Sequence, residues 1–288
     1  MAFKDAPLIK RLIERNKRVL IHGLPGLGKT TLALEMSKHF KVCVHFDCRQ
    51  DNKYFEDMYE AYKKGINTFS ELLVDYGDVN PFLIDSVVYV FDNIDSSDYF
   101  VEKVFPIFNE NNLKVLMTAS VKKQSMKMII NRSFLFTLRP LSLFEFLTDD
   151  SEEFQGEIVA GHLELGKPIP AIIHENCMRI FEDYLVTGGI PEAYNAYLNN
   201  ENAEEKIKHV HEMHRYYSLE KILDISELSE GEKLRCRQVV NSVYEHMLIG
   251  DYSKFIVSRI REGASFALFK NAIDFLTDNN YLLKVEDK

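Results

Sequence analysis

Gly23-Leu24-Pro25-Gly26-Leu27-Gly28-Lys29-Thr30, followed by Thr31, is the stretch on which the reading of this 288-residue chain turns. Its spacing is G-x-x-x-x-G-K-T, the pattern of a phosphate-binding loop. Glycines let the backbone curl so that successive N–H groups point inward, and they keep side chains away from an anion. The loop opens into a helix whose first N–H groups add a field that favours negative charge. The expected phosphate-contacting set is Gly23, Pro25, Gly26, Leu27, Gly28, Lys29, Thr30 and Thr31. Lys29 would neutralise the outer phosphates of a nucleotide, and the Thr30 hydroxyl would be a ligand to Mg²⁺.

The flanks agree with this. Arg18-Val19-Leu20-Ile21-His22 is a short apolar run that suits a buried parallel strand. After the loop, Leu32, Met36 and Phe40 recur every fourth residue, as on the buried face of a helix. A chance glycine-rich turn would rarely carry both.

Composition narrows the class. Hydrophobic residues make up 46% of the chain, enough for extended cores and against disorder. A formal charge of −9 argues against a general polyanion binder. Cys43, Cys48, Cys177 and Cys236 form no C-x-x-C pair and show no metal spacing, so reduced thiols are expected. No apolar run is long enough to span a bilayer, and no signal-peptide pattern follows Met1. The expectation is a cytoplasmic protein without a membrane partner.

Further strands follow in order. A helix over 5–15 leads into the first strand, and Val42-Cys43-Val44-His45-Phe46 is the second, ending at Asp47. Helices are expected over 52–64 and 68–76. The run from Ser86 to Phe91 ends in Asp92-Asn93-Ile94-Asp95, which is how a central parallel strand with a functional tip reads. Ligands of open α/β sheets sit at the carboxyl ends of strands, so Asp92 is expected beside the loop as the Walker B acid that holds Mg²⁺. A structural Asp capping the next helix is the plainer alternative. Lys114–Ser120 forms another strand, whose Thr118 or Ser120 could offer a hydroxyl to the attacking water or the γ-phosphate. A helix over 122–130 and a strand at Phe134–Leu138 complete a doubly wound parallel sheet.

Past Arg139-Pro140 the strands stop. Residues 142–249 read as helices broken at Gly166-Lys167-Pro168 and at Gly188-Gly189-Ile190-Pro191. In the last of them, Cys236, Val239, Val240, Val243 and Met247 share a face. Short helices over 252–260 and 264–278, then a strand at Tyr281–Val285, read as the start of a winged helix without room for a full wing. Phe266, Phe269, Ile273 and Leu276 make its core stripe.

Several of these segments together resemble one group. His22–Ala33 looks like the P-loop of the AAA+/STAND ATPases, the signal-transducing ATPases with numerous domains. Phe136-Thr137-Leu138-Arg139-Pro140-Leu141-Ser142-Leu143-Phe144-Glu145-Phe146-Leu147 is similar to the L-x-P-L-S-x-x-E-F segment of a large group of bacterial and archaeal AAA+ ATPases. Tyr184–Glu192 is similar to that group's Y-L-x-x-G-G-x-P-E. The resemblance covers about residues 15–285. It implies ATP as the nucleotide and three parts: a P-loop NTPase core of AAA+ type over 1–140, a helical lid over 141–228 and a winged-helix-like unit over 229–288. It also implies that Pro191 packs on the adenine. Members usually continue into a nuclease-like domain, which is not seen here, so no nuclease activity is expected.

One departure bears on chemistry. The group carries Asp-Glu where this chain has Asp92-Asn93, and an amide cannot accept the proton of an attacking water. General-base help of this kind contributes roughly 10²–10⁴-fold. Asp95 is the nearby carboxylate that could substitute. Arg132 stands where ring-forming AAA+ proteins carry an arginine finger for the neighbouring copy's site, and Arg139 is a second candidate for sensing the γ-phosphate.

His209-Val210-His211-Glu212-Met213-His214 lacks the i, i+4 ligand spacing of a helical zinc site and reads as a solvated face. DNA contact through Arg259, Arg261 and Lys270 is weakened by the slight acidic excess after Glu245. The expected function is a nucleotide-dependent switch with slow ATP hydrolysis, with a protein partner or self-association receiving the signal. The alternatives are a DNA-binding ATPase and a protein that keeps its nucleotide as a structural cofactor.

Overall fold

Five short runs of mostly β-branched and aromatic residues pair into one parallel sheet: β1 Arg18–His22, β2 Val42–Asp47, β3 Val87–Asp92, β4 Val115–Ala119 and β5 Phe134–Thr137. The computed structural model describes residues 11–15, 18–65, 71, 87–110, 113–149, 153–199, 202–212, 218–248 and 255–284. Most of the helix expected over 68–76 and the first half of that over 5–15 lie outside this set. The strand order is β2-β3-β4-β1-β5, so β4 is inserted between β1 and β3. All strands therefore end on one edge, with Asp47 level with Asp92 and His22 level with Ala119 and Thr137.

Alternation along the strands feeds two cores. Leu20, Phe46, Tyr89, Phe91, Val115 and Met117 face one layer, where Phe91 stacks on Phe46 at 5.0 Å and meets Phe100 at 4.6 Å. Val19, Ile21, Val88, Val90 and Leu116 face the other, against Leu32, Ala33 and Met36. Those last three belong to α1, Lys29–Ser37, the helix that the phosphate-loop sequence opens. On the first face lie α2 (Asn52–Lys63), a π-helical turn at Phe100–Val104 running into α3 (Phe105–Glu110), and α4 (Lys127–Arg132). α4 starts five residues later than the periodicity predicts.

After β5 the described chain is helical: α5 Leu143–Asp149, α6 Glu153–Glu164, α7 Ala171–Thr187, α8 Pro191–Leu198, α9 Ala203–Glu212, α10 Leu219–Ile225, α11 Glu230–Leu248 and α12 Phe266–Asp278. Each break has a local cause. Gly188 caps α7 at φ 64, and Pro191 sits at the first turn of α8, where its missing N–H costs nothing. Ser142 and Glu145 bond each other's backbone N–H at 3.3 and 2.8 Å, a capping box that starts α5. Ser229 and Glu232 repeat it at α11.

Two motifs similar to those of AAA+ ATPases meet in space. The Leu141 N–H donates to the Gly189 carbonyl at 2.8 Å, and Phe146 packs edge-on against Tyr184 and Tyr194 at 5.5 and 4.7 Å. The segment after β5 and the α7–α8 turn are thus one joint.

The end of the chain departs from expectation. Residues 281–284 are not a strand, and 255–260 hold only a 3₁₀ turn at Val257–Arg259. Phe266 is 56% exposed, and the buried stripe of α12 is Phe269, Ala272 and Leu276. The physical reason for the missing strand is the helix stop. Asn280 takes φ 59, and the N–H groups of Asn280 and Tyr281 turn back to the carbonyls of Thr277 and Leu276 at 3.0 and 2.8 Å. That is a Schellman closure, with Tyr281 in the position that packs back on the helix. The wing of a winged helix is absent among the described residues, and α10, α11 and α12 instead pack on Val121 at the end of β4.

Candidate functional site

The sheet edge where the strands end carries the phosphate loop, Asp92 and Thr118. Gly28 at φ 80 hands the loop to α1, and Gly26 takes φ 83, a region closed to most side chains. Gly23 is needed for space, since a Cβ there would stand 2.7 Å from the Leu138 carbonyl oxygen. The loop is tied down at both sides by Gly23 N–H to Ala119 O at 3.2 Å and Leu138 N–H to His22 O at 2.7 Å.

Lys29 folds back on this loop and donates to the carbonyls of Gly23 and Leu24, both at 2.9 Å. Burial pulls its ammonium down to about 8, against the attraction of Asp95, Asp92 and Glu192 and with a push from Lys221. Thr30 Oγ1 donates to Asp92 Oδ2 at 2.7 Å, so the two expected Mg²⁺ ligands do converge. A hydroxyl and a carboxylate at that separation fit a hard divalent cation. The Thr118 hydroxyl donates to Asp92 Oδ1 and accepts the Asn93 N–H at 2.9 Å. Thr118 thereby orients the Asp92 carboxylate.

Asp95 is 1% exposed, and its Oδ2 accepts the backbone N–H groups of Ser120 and Val121, both at 2.8 Å. Burial raises its carboxyl against those two bonds. It braces the end of β4, inside the protein, and lends no support to the expectation that it replaces the missing glutamate. Arg132 closes α4 at the start of β5, the opposite edge of the sheet from Lys29, near enough to Arg18 to lower that guanidinium after burial has done so. Within this chain it is not brought to the site, and Arg139 is exposed outside it.

A polar cavity of about 340 Å³ lies over the loop. Pro25, Gly26, Gly28, Lys29, Thr30 and Thr31 form its floor, and Arg49, Asn93, Ser96 and Ser120 its side. Its roof is Pro191, Glu192 and Asn195 of α8 with Lys221 and Ile225 of α10. The roof touches the floor, because Glu192 N–H donates to Gly26 O at 3.3 Å. Next to it is an apolar cavity of about 300 Å³, lined by Leu24, Ile190, Val240, Tyr244, Tyr281 and Leu282 among others. Pro191 thus borders the polar cavity, and its neighbour Ile190 the apolar one. Arg49, Asn195 and Lys221 belong to no local pattern, and Glu192, although it ends the Y-L-x-x-G-G-x-P-E segment, was given no role from sequence.

Residues 15–147 match a family described as an AAA domain. The chain carries an AAA-type P-loop ATPase domain. Residues 178–287 match a domain of unknown function, DUF8612, which covers α8 to α12 and so includes the roof of the polar cavity. Among solved structures, the Walker-type ATPase paby2304 of Pyrococcus abyssi is 13% identical with a TM-score of 0.53, over 98% of this chain and 90% of that one. That likeness extends the shared fold beyond the sheet to the helices. PCH-2 of C. elegans is 15% identical at a TM-score of 0.38, over 72% of this chain and 66% of that one. The STAND protein PH0952 of Pyrococcus horikoshii, with a tetratricopeptide repeat sensor, is 16% identical at 0.41, over 96% of this chain and 45% of that one. No curated protein matches the chain. The AAA part of the resemblance is borne out by the match over residues 15–147. No helix among the described residues is long and apolar enough to cross a membrane, and no group of them has the makings of a His/Cys/Asp/Glu metal site.

The base of the loop is locked to the end of the chain. The Lys122 N–H donates to Asn279 Oδ1 at 2.8 Å, and Asn280 Nδ2 lies 3.4 Å from His22 Nδ1. Burial, then the charges of Lys122 and Lys29, push the fully buried His22 down to about 3 from 6.5. Its folded-state value is depressed, so the unfolded chain takes the proton first and stability is lost as pH falls from 6.5 toward 3. Denaturant midpoints should therefore fall more steeply over that window in the parent than in His22→Gln. Parallel curves would mean that His22 is not the acid-sensitive group.

Proposed function

We propose that the protein binds ATP with Mg²⁺ in the polar cavity, and that the nucleotide works as a conformational switch with slow hydrolysis. The observation that carries this reading is the shared cavity: its floor is the P-loop and its roof is α8 and α10. Phosphates on the floor meet Lys29 and the N-terminus of α1, and Lys221 approaches from above. Thr30 and Asp92 would hold the Mg²⁺, whose charge helps neutralise the phosphates. The adenine would lie in the apolar cavity against Ile190 and Tyr244, leaving Pro191 at the junction between base and phosphates. A core over 1–140, a lid over 141–228 and a terminal unit over 229–288 are then the parts that nucleotide holds together.

Glu192 opposes the closure that nucleotide drives. Its Oε2 stands where a Cβ on Gly26 would be 2.9 Å away, so a carboxylate hangs over the phosphate loop. Arriving phosphates repel it and so weaken the closure, while Lys29 and Lys221 draw floor and roof together around the phosphates. A ligand shifts an equilibrium only through such differential contacts. Glu192→Gln is expected to tighten ATP binding by roughly five- to thirtyfold, the equivalent of about 1–2 kcal/mol for one like-charge contact. Equal or weaker affinity would remove Glu192 from the mechanism.

The reading as a whole is tested by titrating ATP and ADP onto the purified protein and following hydrolysis and protease sensitivity. Saturable ATP binding, a cleavage pattern that differs between ATP and ADP, and slow turnover are expected. Absence of binding would sink the proposal. Nucleotide that stays bound through purification with no turnover and no change in cleavage would make it a structural cofactor instead.

A further inference from the structure

The tip of β3 reads Asp92-Asn93, and neither residue is available as a proton acceptor. Asn93 is an amide, and Asp92 is 1% exposed and bonded to Thr30, Thr118 and Asn93. Asp95 is spent on the backbone of β4. The neighbouring strand offers a third carboxylate. β2 and β3 run in register to Asp47 opposite Asp92, and the Asn93 amide bridges the two, donating to Asp92 Oδ2 at 2.8 Å and to Asp47 Oδ1 at 3.3 Å. The Asp47 side chain is 17% exposed, which sets it apart from the two sealed aspartates. Its backbone is fixed by the Asp51 carboxylate, which accepts the Asp47 N–H at 2.8 Å.

Arg49 covers this carboxylate. Its Nη2 lies 2.7 Å from Asp47 Oδ2 and its Nε 3.0 Å from Oδ1, and the same side chain lines the polar cavity with Lys29 and Thr30. The Arg49 side chain is half exposed, so water can take over its present bonds while it changes partner. Burial pushes the Asp47 carboxyl up, but the hydrogen bonds and charge of Arg49 outweigh it and hold the group below the usual carboxylate range. While paired, it is a poor base.

We propose that Asp47 is the general base of ATP hydrolysis, positioned by Asn93 and restrained by Arg49 until a γ-phosphate draws Arg49 away. This deepens the ATPase reading above and rests on it. The carboxylate stands one strand away from where the Asp-Glu arrangement leads one to look for it, and an amide takes its place on β3. The γ-phosphate offers Arg49 a second anion, and a planar guanidinium grips phosphate through two bonds as readily as carboxylate. Freed Asp47 takes a proton from a water whose oxygen attacks the γ-phosphorus. The bond from that phosphorus to the bridging oxygen breaks, its electron pair leaves with ADP, and the other product is orthophosphate. Arg49, now on the γ-phosphate, stabilises the charge on the group in transit.

The test compares the parent with Asp47→Asn and with the double exchange Asp47→Asn/Asn93→Glu. ATP affinity is read by titration with a fluorescent ATP analogue, and chemistry by single-turnover phosphate release. Asp47→Asn is expected to bind ATP at least as tightly as the parent, because Arg49 no longer has to leave a carboxylate, and to release phosphate at least a hundredfold more slowly, in the range that loss of a general base gives. The double exchange, which puts a carboxylate back one strand away, should recover at least tenfold of that loss. A correctly binding Asp47→Asn that turns over like the parent overturns the proposal. So does a parent that binds ATP and never hydrolyses it, although the binding switch would survive that result. A parent that binds no ATP fails at the earlier step and takes both readings down.

Discussion

Gly189→Ala is expected to destabilise the protein by about 3–5 kcal/mol, the size reserved for a steric conflict that cannot relax. Gly189 sits at φ 68, where a side chain already costs about 1–2 kcal/mol. A Cβ there would also stand 2.2 Å from the Leu141 carbonyl oxygen and 2.9 Å from the Tyr184 ring. The oxygen cannot retreat cheaply, because the Leu141 N–H is bonded to the Gly189 carbonyl and Tyr184 is held by Phe146. Relief must come from opening the joint between the segment after β5 and the α7–α8 turn. That joint sets where Pro191 and Glu192 meet the P-loop, so nucleotide affinity should fall with stability. Gly166→Ala is the control: it shares the positive φ, at 61, but has open space around the missing Cβ. Equal denaturant midpoints for the two variants would show that the close contact is not what requires glycine at 189.

This joint also explains what the sequence could and could not tell. The L-x-P-L-S-x-x-E-F and Y-L-x-x-G-G-x-P-E segments are legible as strings, yet nothing in either says that they touch. The structure supplies the reason: Ser142 and Glu145 cap a helix, Phe146 fills the space beside Tyr184, and Gly189 admits the Leu141 backbone. Strands were readable wherever burial on both faces demands unbroken apolar runs, as in Val87–Phe91. Tyr281-Leu282-Leu283 looked the same and is not a strand. There the decisive signal was Asn279-Asn280, a helix stop whose following apolar residue folds back on α12 instead of joining a sheet. Lys29 and Thr30 were legible because one motif fixes them locally, and Asp92 because it ends an unbroken apolar strand run. Asp47, Arg49, Glu192 and Lys221 were not, since the register of β2 on β3 and the docking of α8 and α10 bring them together from distant parts of the chain.

Lys29 should make nucleotide affinity fall as pH rises through about 8, its value in the free protein. The sign follows from the linkage between protonation and binding. Burial lowers the ammonium, Asp95, Asp92 and Glu192 partly restore it, and Lys221 opposes them. Bound phosphates add negative charge beside it and raise its value, so binding takes up a proton above pH 8 and is opposed there by about tenfold per pH unit at most. Below that pH the lysine is already charged and affinity should be flat with respect to this group. Lys29→Met removes the charge at every pH, and loss of one partner from a desolvated ion pair costs about 2–5 kcal/mol, or roughly one and a half to three and a half orders of magnitude in affinity. The residual binding of the variant should therefore be independent of pH between 7 and 9.5. A variant that keeps the parent's slope would place the titrating group elsewhere, with Lys221 the next to test. A parent with no slope would mean that the loop carbonyls of Gly23 and Leu24 hold Lys29 charged even without nucleotide.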